Sequence, residues 1–123
     1  MDINFNKIIR VGEVSSTNSA TMTVRVVFPD EGNSVSDDLS VINRGSKNNK
    51  DYWMPDVGEQ VICIFTPNSR NRGFVLGSFF SSVDVPPIGS AQNKRILEHK
   101  GDLEIRCTGN IKITGARIDL NEG

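Results

Sequence analysis

The sequence predicts an all-β protein in two parts: a five-stranded barrel, followed by a short ladder of strands that several chains must share. Three observations predict it. Apolar and polar residues alternate along most of the chain, the period-two pattern of half-buried strands. Glycines fall inside apolar strand segments, where small barrels turn their corners. The stretch 102–123 (DLEIRCTGNIKITGARIDLNEG) keeps strict alternation between breaks at Gly109 and Gly115.

Each element follows in chain order. Residues 7–16 (KIIRVGEVSS) read as a first strand, with Gly12 placed for a bulge or sharp coil. Thr17 and Asn18 read as turn residues. Residues 20–28 (ATMTVRVVF) form the second strand, Met22, Val24 and Val26 alternating with Thr21, Thr23 and Arg25. Residues 29–36 (PDEGNSVS) are a polar connection, 39–42 a short third strand, and 44–51 (RGSKNNKD) an exposed loop. Residues 59–66 (EQVICIFT) are apolar on both faces, as in a central strand. A hairpin loop at 67–72 leads to a return strand at 73–80 (GFVLGSFF), with Gly77 as a second kink. Five coiled strands with loops of uneven length fit a small closed barrel of the OB type.

Residues 83–89 (VDVPPIG) then break the pattern, because two adjacent prolines cannot sit in a central ladder. The expected division is 1–88 for the barrel and 89–123 for the terminal segment. In that segment Leu103, Ile105 and Cys107 share one face, then Ile111 and Ile113, then Ala116, Ile118 and Leu120. A lone meander would leave this face in water and its strand edges open. Wrapping several copies around a common axis buries the face and pairs the edges, so the segment predicts an oligomer. A terminal hairpin folded back on its own domain is the alternative.

Composition narrows the function. The chain has 123 residues, a formal net charge of −1 and 24% charged residues, so neither a basic stripe nor a run of like charge marks a polyanion partner. Hydrophobic content is 37%, low for a self-sufficient core. Cys63 and Cys107 stand far apart without a CxxC or a nearby His, and read as two free buried thiols. No segment approaches the roughly 18 apolar residues of a membrane helix, and the opening residues do not have a secretory signal pattern.

Chemistry has little to stand on. His99, the single histidine, sits in a His-Lys-Gly turn and reads as solvated. Asp30-Glu31 and Asp37-Asp38 do not have calcium-loop spacing. GxGxxG, GxxxxGK[ST], GxSxG and HExxH do not occur, and no serine has a recognisable activating base. No catalytic, cofactor-binding or metal-binding residue is therefore assigned. OB barrels often bind single strands on aromatic platforms. Here Trp53 reads as a plug at a barrel end, alternation is expected to turn most of Phe65, Phe74 and Phe79 inward, and the few basic residues (Lys47, Lys50, Arg70, Arg72) face nearby acids.

Two runs carry a resemblance: WMPDVGEQVICIFTPN at 53–68 and RGFVLGSFFSSVDVPP at 72–87. The tryptophan-Met-Pro lead-in, the Val-Gly-Glu-Gln-Val turn, the Pro-Asn hairpin, the Gly-Phe-Val-Leu-Gly-Ser return and the Val-Asp-x-Pro-Pro exit occur in the order seen in the baseplate assembly protein V family. These are the central tail spikes of contractile-tailed phages and related bacteriocins. The resemblance covers residues 8–87 well and the terminal ladder in character more than in letters. It implies a homotrimer, with an OB barrel docked to the baseplate hub protein under the tail tube and an intertwined triple-stranded β-helix pointed at the host cell envelope. It implies Leu103, Ile105, Ile111, Ile113, Ile118 and Leu120 on the trimer axis, a mechanical rather than catalytic role, and residence in the virion or tail-like particle after synthesis in the bacterial cytoplasm.

Longer relatives gather an iron ion with a His-x-His pair at the tip. This chain has no such pair, so no metal is expected, and a short blunt needle would leave residues 119–123 to a small tip or cap protein. The competing expectation, of a different class, is a monomeric OB module that binds single-stranded nucleic acid or carbohydrate.

Overall fold

The computed structural model describes residues 8–67 and 72–121. The chain divides into two compact units, Met1–Pro86 and Pro87–Gly123.

The first unit holds every strand among the described residues. In order these are β1 (Ile9–Asn18), β2 (Thr23–Phe28), β3 (Ser34–Val35), β4 (Leu39–Val41), β5 (Gln60–Phe65) and β6 (Gly73–Ser78). A 3-10 turn over Pro29–Glu31 follows β2. Neighbours run β1-β5-β6-β4-β2, and β2 pairs back onto β1 to close the cylinder, with β3 added on β2. All pairings are antiparallel except β4 with β6. This is the five-stranded OB-type barrel that the alternation predicts, with one extra short strand.

Closure depends on β1, which serves two neighbours in turn. Ile9 to Glu13 pair with β5, and Glu13 to Asn18 pair with β2 across an irregularity between Val14 and Ser16. Gly12 lies where the two pairings meet. A β-carbon there would stand 2.5 Å from Val26 Cγ1 and 2.6 Å from the Val27 carbonyl oxygen, so only glycine lets β1 lie this close to β2. The inward half of the alternation makes the core: Val14, Val24, Val26, Phe28, Leu39, Val41, Val61, Cys63, Phe65 and Val75, joined by Met22.

Several boundaries differ from the sequence expectation. Thr17 and Asn18 are not a turn; they pair with Val24 and Thr23, because β2 needs a partner edge along its whole length. The turn comes later, and Met22 precedes β2 in the left-handed region with φ 53°. The polar connection hides β3, whose two residues pair with Val27 and Phe28. Beside it, Ser36 is buried, and its hydroxyl accepts from the Val26 amide at 3.0 Å. The third strand ends at Val41 and the return strand at Ser78. The kink expected at Gly77 lies at an irregularity of register, where Ile62 meets Gly77 and Cys63 meets Val75. Lys7 and most of the expected hairpin loop, residues 68–71 with Arg70, lie outside the described residues.

In the second unit, the described residues 87–121 contain no strand and no buried side chain. The expected ladder does not form within one chain. Alternation specifies two faces, but a strand also needs a partner edge to satisfy its amides and carbonyls.

Candidate functional site

The terminal segment keeps its two faces without pairing. The Arg106 guanidinium and the Glu104 carboxylate stand 3.1 Å apart, and Arg117 and Asp119 stand 2.8 Å apart. Partners two positions apart meet on one side of an extended chain, so each pair marks a polar side. The intervening parity is aliphatic: Leu103 and Ile105 beside the first pair, Ile118 and Leu120 beside the second.

All six expected axis residues are open to solvent. Their exposure runs from 51% at Ile118 to 85% at Leu120, with Leu103, Ile105, Ile111 and Ile113 between. A single chain does not bring them together, and the buried cluster contains barrel residues alone. Monomeric proteins seldom leave so many aliphatic groups open along one short segment. The last two residues of the expected cap-binding end at 119–123 lie outside the described residues.

The cysteines separate. Cys63 is buried, as the sequence suggests, whereas Cys107 is exposed, which corrects the expectation of two buried thiols. The reason is the same as for its aliphatic neighbours: nothing in one chain covers that face.

The remaining candidates have structural roles. Glu31 ion-pairs with Arg10, whose side chain is only 12% exposed, and whose guanidinium lies 3.7 Å from the centroid of the Phe28 ring. Asp38 holds Arg25 at 3.1 Å on the barrel exterior. His99 is exposed. Trp53 packs against the barrel core with Met54, and its indole Nε1 donates to the Ile42 carbonyl at 3.1 Å. No group of three or more His, Cys, Asp or Glu that could hold a metal occurs among the described residues. Buried side-chain nitrogens and oxygens among them all have partners.

Alternation misleads at two aromatics. Phe65 points inward, but Phe74 is 45% exposed and Phe79 is 37% exposed. Phe74 sits opposite Ile64 on the outer face of β6, and Phe79 lies past the end of that strand. Sequence reasoning also missed the apolar exterior that Phe74 belongs to. The signal lies in residues 59–66, whose apolar character on both faces marks an apolar exterior as well as a central strand. Comparison with protein-family models and with curated proteins finds no match for the chain.

Proposed function

We propose that this chain is a structural spike protein of a contractile tail baseplate, phage or phage-tail-like bacteriocin, acting as a homotrimer. The observation that carries the reading is the open aliphatic face of the terminal segment, whose described residues form no strand. Three such segments wound about one axis complete a triple-stranded β-helix. Each supplies the edge that its neighbour lacks, and the six aliphatic positions of each copy turn inward. Closing the open half of one such side chain is worth roughly 1 kcal/mol, and the gain recurs at each of the six positions in each of the three chains.

The identity of the machine rests on the resemblance of residues 53–87 to the baseplate V family. In this reading the barrel docks to the hub protein beneath the tail tube, and the needle meets the host envelope when the sheath contracts. The work is mechanical. A needle transmits compression only if its strands cannot slip in register, and a continuous apolar core fixes register, because a one-residue slip would turn every aliphatic group outward. No nucleophile, base or metal enters.

Light scattering of the purified chain tests the reading. The expected mass is three times the 13.5 kDa of one chain. A stable species of 13.5 kDa at high concentration sinks it and returns the protein to the class of monomeric OB modules.

A further inference from the structure

Charge is divided between the two ends of the barrel. β2 runs from Thr23, opposite Asn18 at the β1–β2 hairpin, to Phe28, and the 3-10 turn that follows carries Asp30 and Glu31 to the far end. The loop over residues 42–53 lies at the hairpin end. The Val41 amide before it donates to the Met22 carbonyl at 3.1 Å, and the Tyr52 hydroxyl donates to the Ser19 carbonyl at 3.1 Å. That loop carries Arg44, Lys47 and Lys50, all exposed, and its one acid, Asp51, is tied to Arg44 at 3.0 Å. Among the described residues, no carboxylate stands within ion-pair distance of Lys47 or Lys50.

The loop is held in shape from within. The Gly45 amide donates to Asn43 Oδ1 at 2.9 Å, Ser46 bridges to Lys50, and the Trp53 indole ties the base to the Ile42 carbonyl at 3.1 Å. A β-carbon at Gly45 would stand 2.2 Å from the Asn49 carbonyl oxygen, so the turn closes only with glycine there. A loop already ordered loses little freedom on binding. Apolar groups accompany the lysines. Ile42 is 42% exposed and Tyr52 59%. β6 runs parallel to β4 with Val75 beside Val41, so the chain after it leaves toward the same end, with Phe80 63% exposed.

We propose that this end of the barrel seats on an anionic bilayer surface, with Lys47 and Lys50 against lipid phosphates and the Tyr52 and Phe80 rings at headgroup level. Two features select a lipid surface over a protein. Lysine is depleted in protein interfaces, where Arg is enriched, whereas its compact ammonium suits phosphate as a point charge. Lysines beside exposed aromatic rings match the composition of membrane–water boundaries. Each lysine near an anionic leaflet strengthens binding roughly fivefold. The acids at the far end are repelled by the same leaflet, so the barrel stands end-on. This inference goes beyond the spike reading and does not need the trimer, which would repeat the contact in each copy.

Flotation of the full chain tests the proposal with two sets of vesicles, phosphatidylcholine containing about 30% phosphatidylglycerol and phosphatidylcholine alone. The expected result is binding to the anionic vesicles only. It should weaken at least about tenfold in Lys47→Glu/Lys50→Glu and about threefold in Phe80→Ser, and stay unchanged in Asp30→Asn at the far end. A parent chain that ignores the anionic vesicles, or variants at Lys47 and Lys50 or at Phe80 that bind as well as the parent, overturn it. Light scattering of the same samples separates this result from the spike reading. A trimer that ignores the vesicles overturns this inference alone, and a monomer that binds them overturns the trimer alone.

Discussion

At Gly12 a single hydrogen in place of a methyl group lets the barrel close. A Gly12→Ala β-carbon would meet a backbone oxygen as well as the Val26 and Phe28 side chains, and the oxygen cannot rotate away. The expected outcome is a loss of about 1–3 kcal/mol, read from the urea midpoint. Cys63 shows a second consequence of close packing. Burial pushes its thiol up to about 11 from 9.0, with the Arg10 charge pulling the other way. The folded pKa is the higher one, so the unfolded chain ionises first as pH rises. The stability from the neutral thiol is thus fully present below about pH 9 and is lost between about 9 and 11, with a ceiling of roughly 2–3 kcal/mol. Urea midpoints should fall across that window in the parent and fall less in Cys63→Val. Equal falls would show that other groups dominate.

Among the elements, the inward half of the alternation was legible because the strand period is fixed at two. Met22, Val24 and Val26, set against Thr21, Thr23 and Arg25, are assigned correctly by counting. Three things were not legible by counting. β3 is two residues long, too short for any period to show. The end of β1 depends on how far β2 runs beside it, a pairing rather than a local property. Phe74 is outward because its register with Ile64 puts it there. The Arg10–Glu31 pair likewise joins β1 to the 3-10 turn across 21 positions. Glu31→Gln leaves a guanidinium at the barrel end with less compensation, and a loss of about 1 kcal/mol is expected in chemical denaturation. The loss should shrink in high salt, which screens the ion pair in the parent.

On the scale of the whole molecule, the barrel explains its own stability and the terminal segment does not. The proposed trimer predicts the effect of one charge at the middle of the needle. Ile113→Asp would gather three carboxylates on a dry axis, each costing several kcal/mol to desolvate. Trimers should disappear in light scattering, while far-ultraviolet circular dichroism retains the strand signal of the barrel. A trimer that survives this substitution would count heavily against an aliphatic axis at Ile113.

Local periodicity by itself determined that this chain is built of strands, which side of most strands is apolar, and that residues 103–120 carry an apolar face too large for their length. These are properties of neighbours along the chain, and alternation records them directly. Only the tertiary structure decided how the strands close, with β1 shared between β5 and β2, which outer rows fall side by side, and that the terminal face stays open in one chain. Those outcomes depend on register and on available partner edges, which join residues far apart in the sequence and leave no local trace in it.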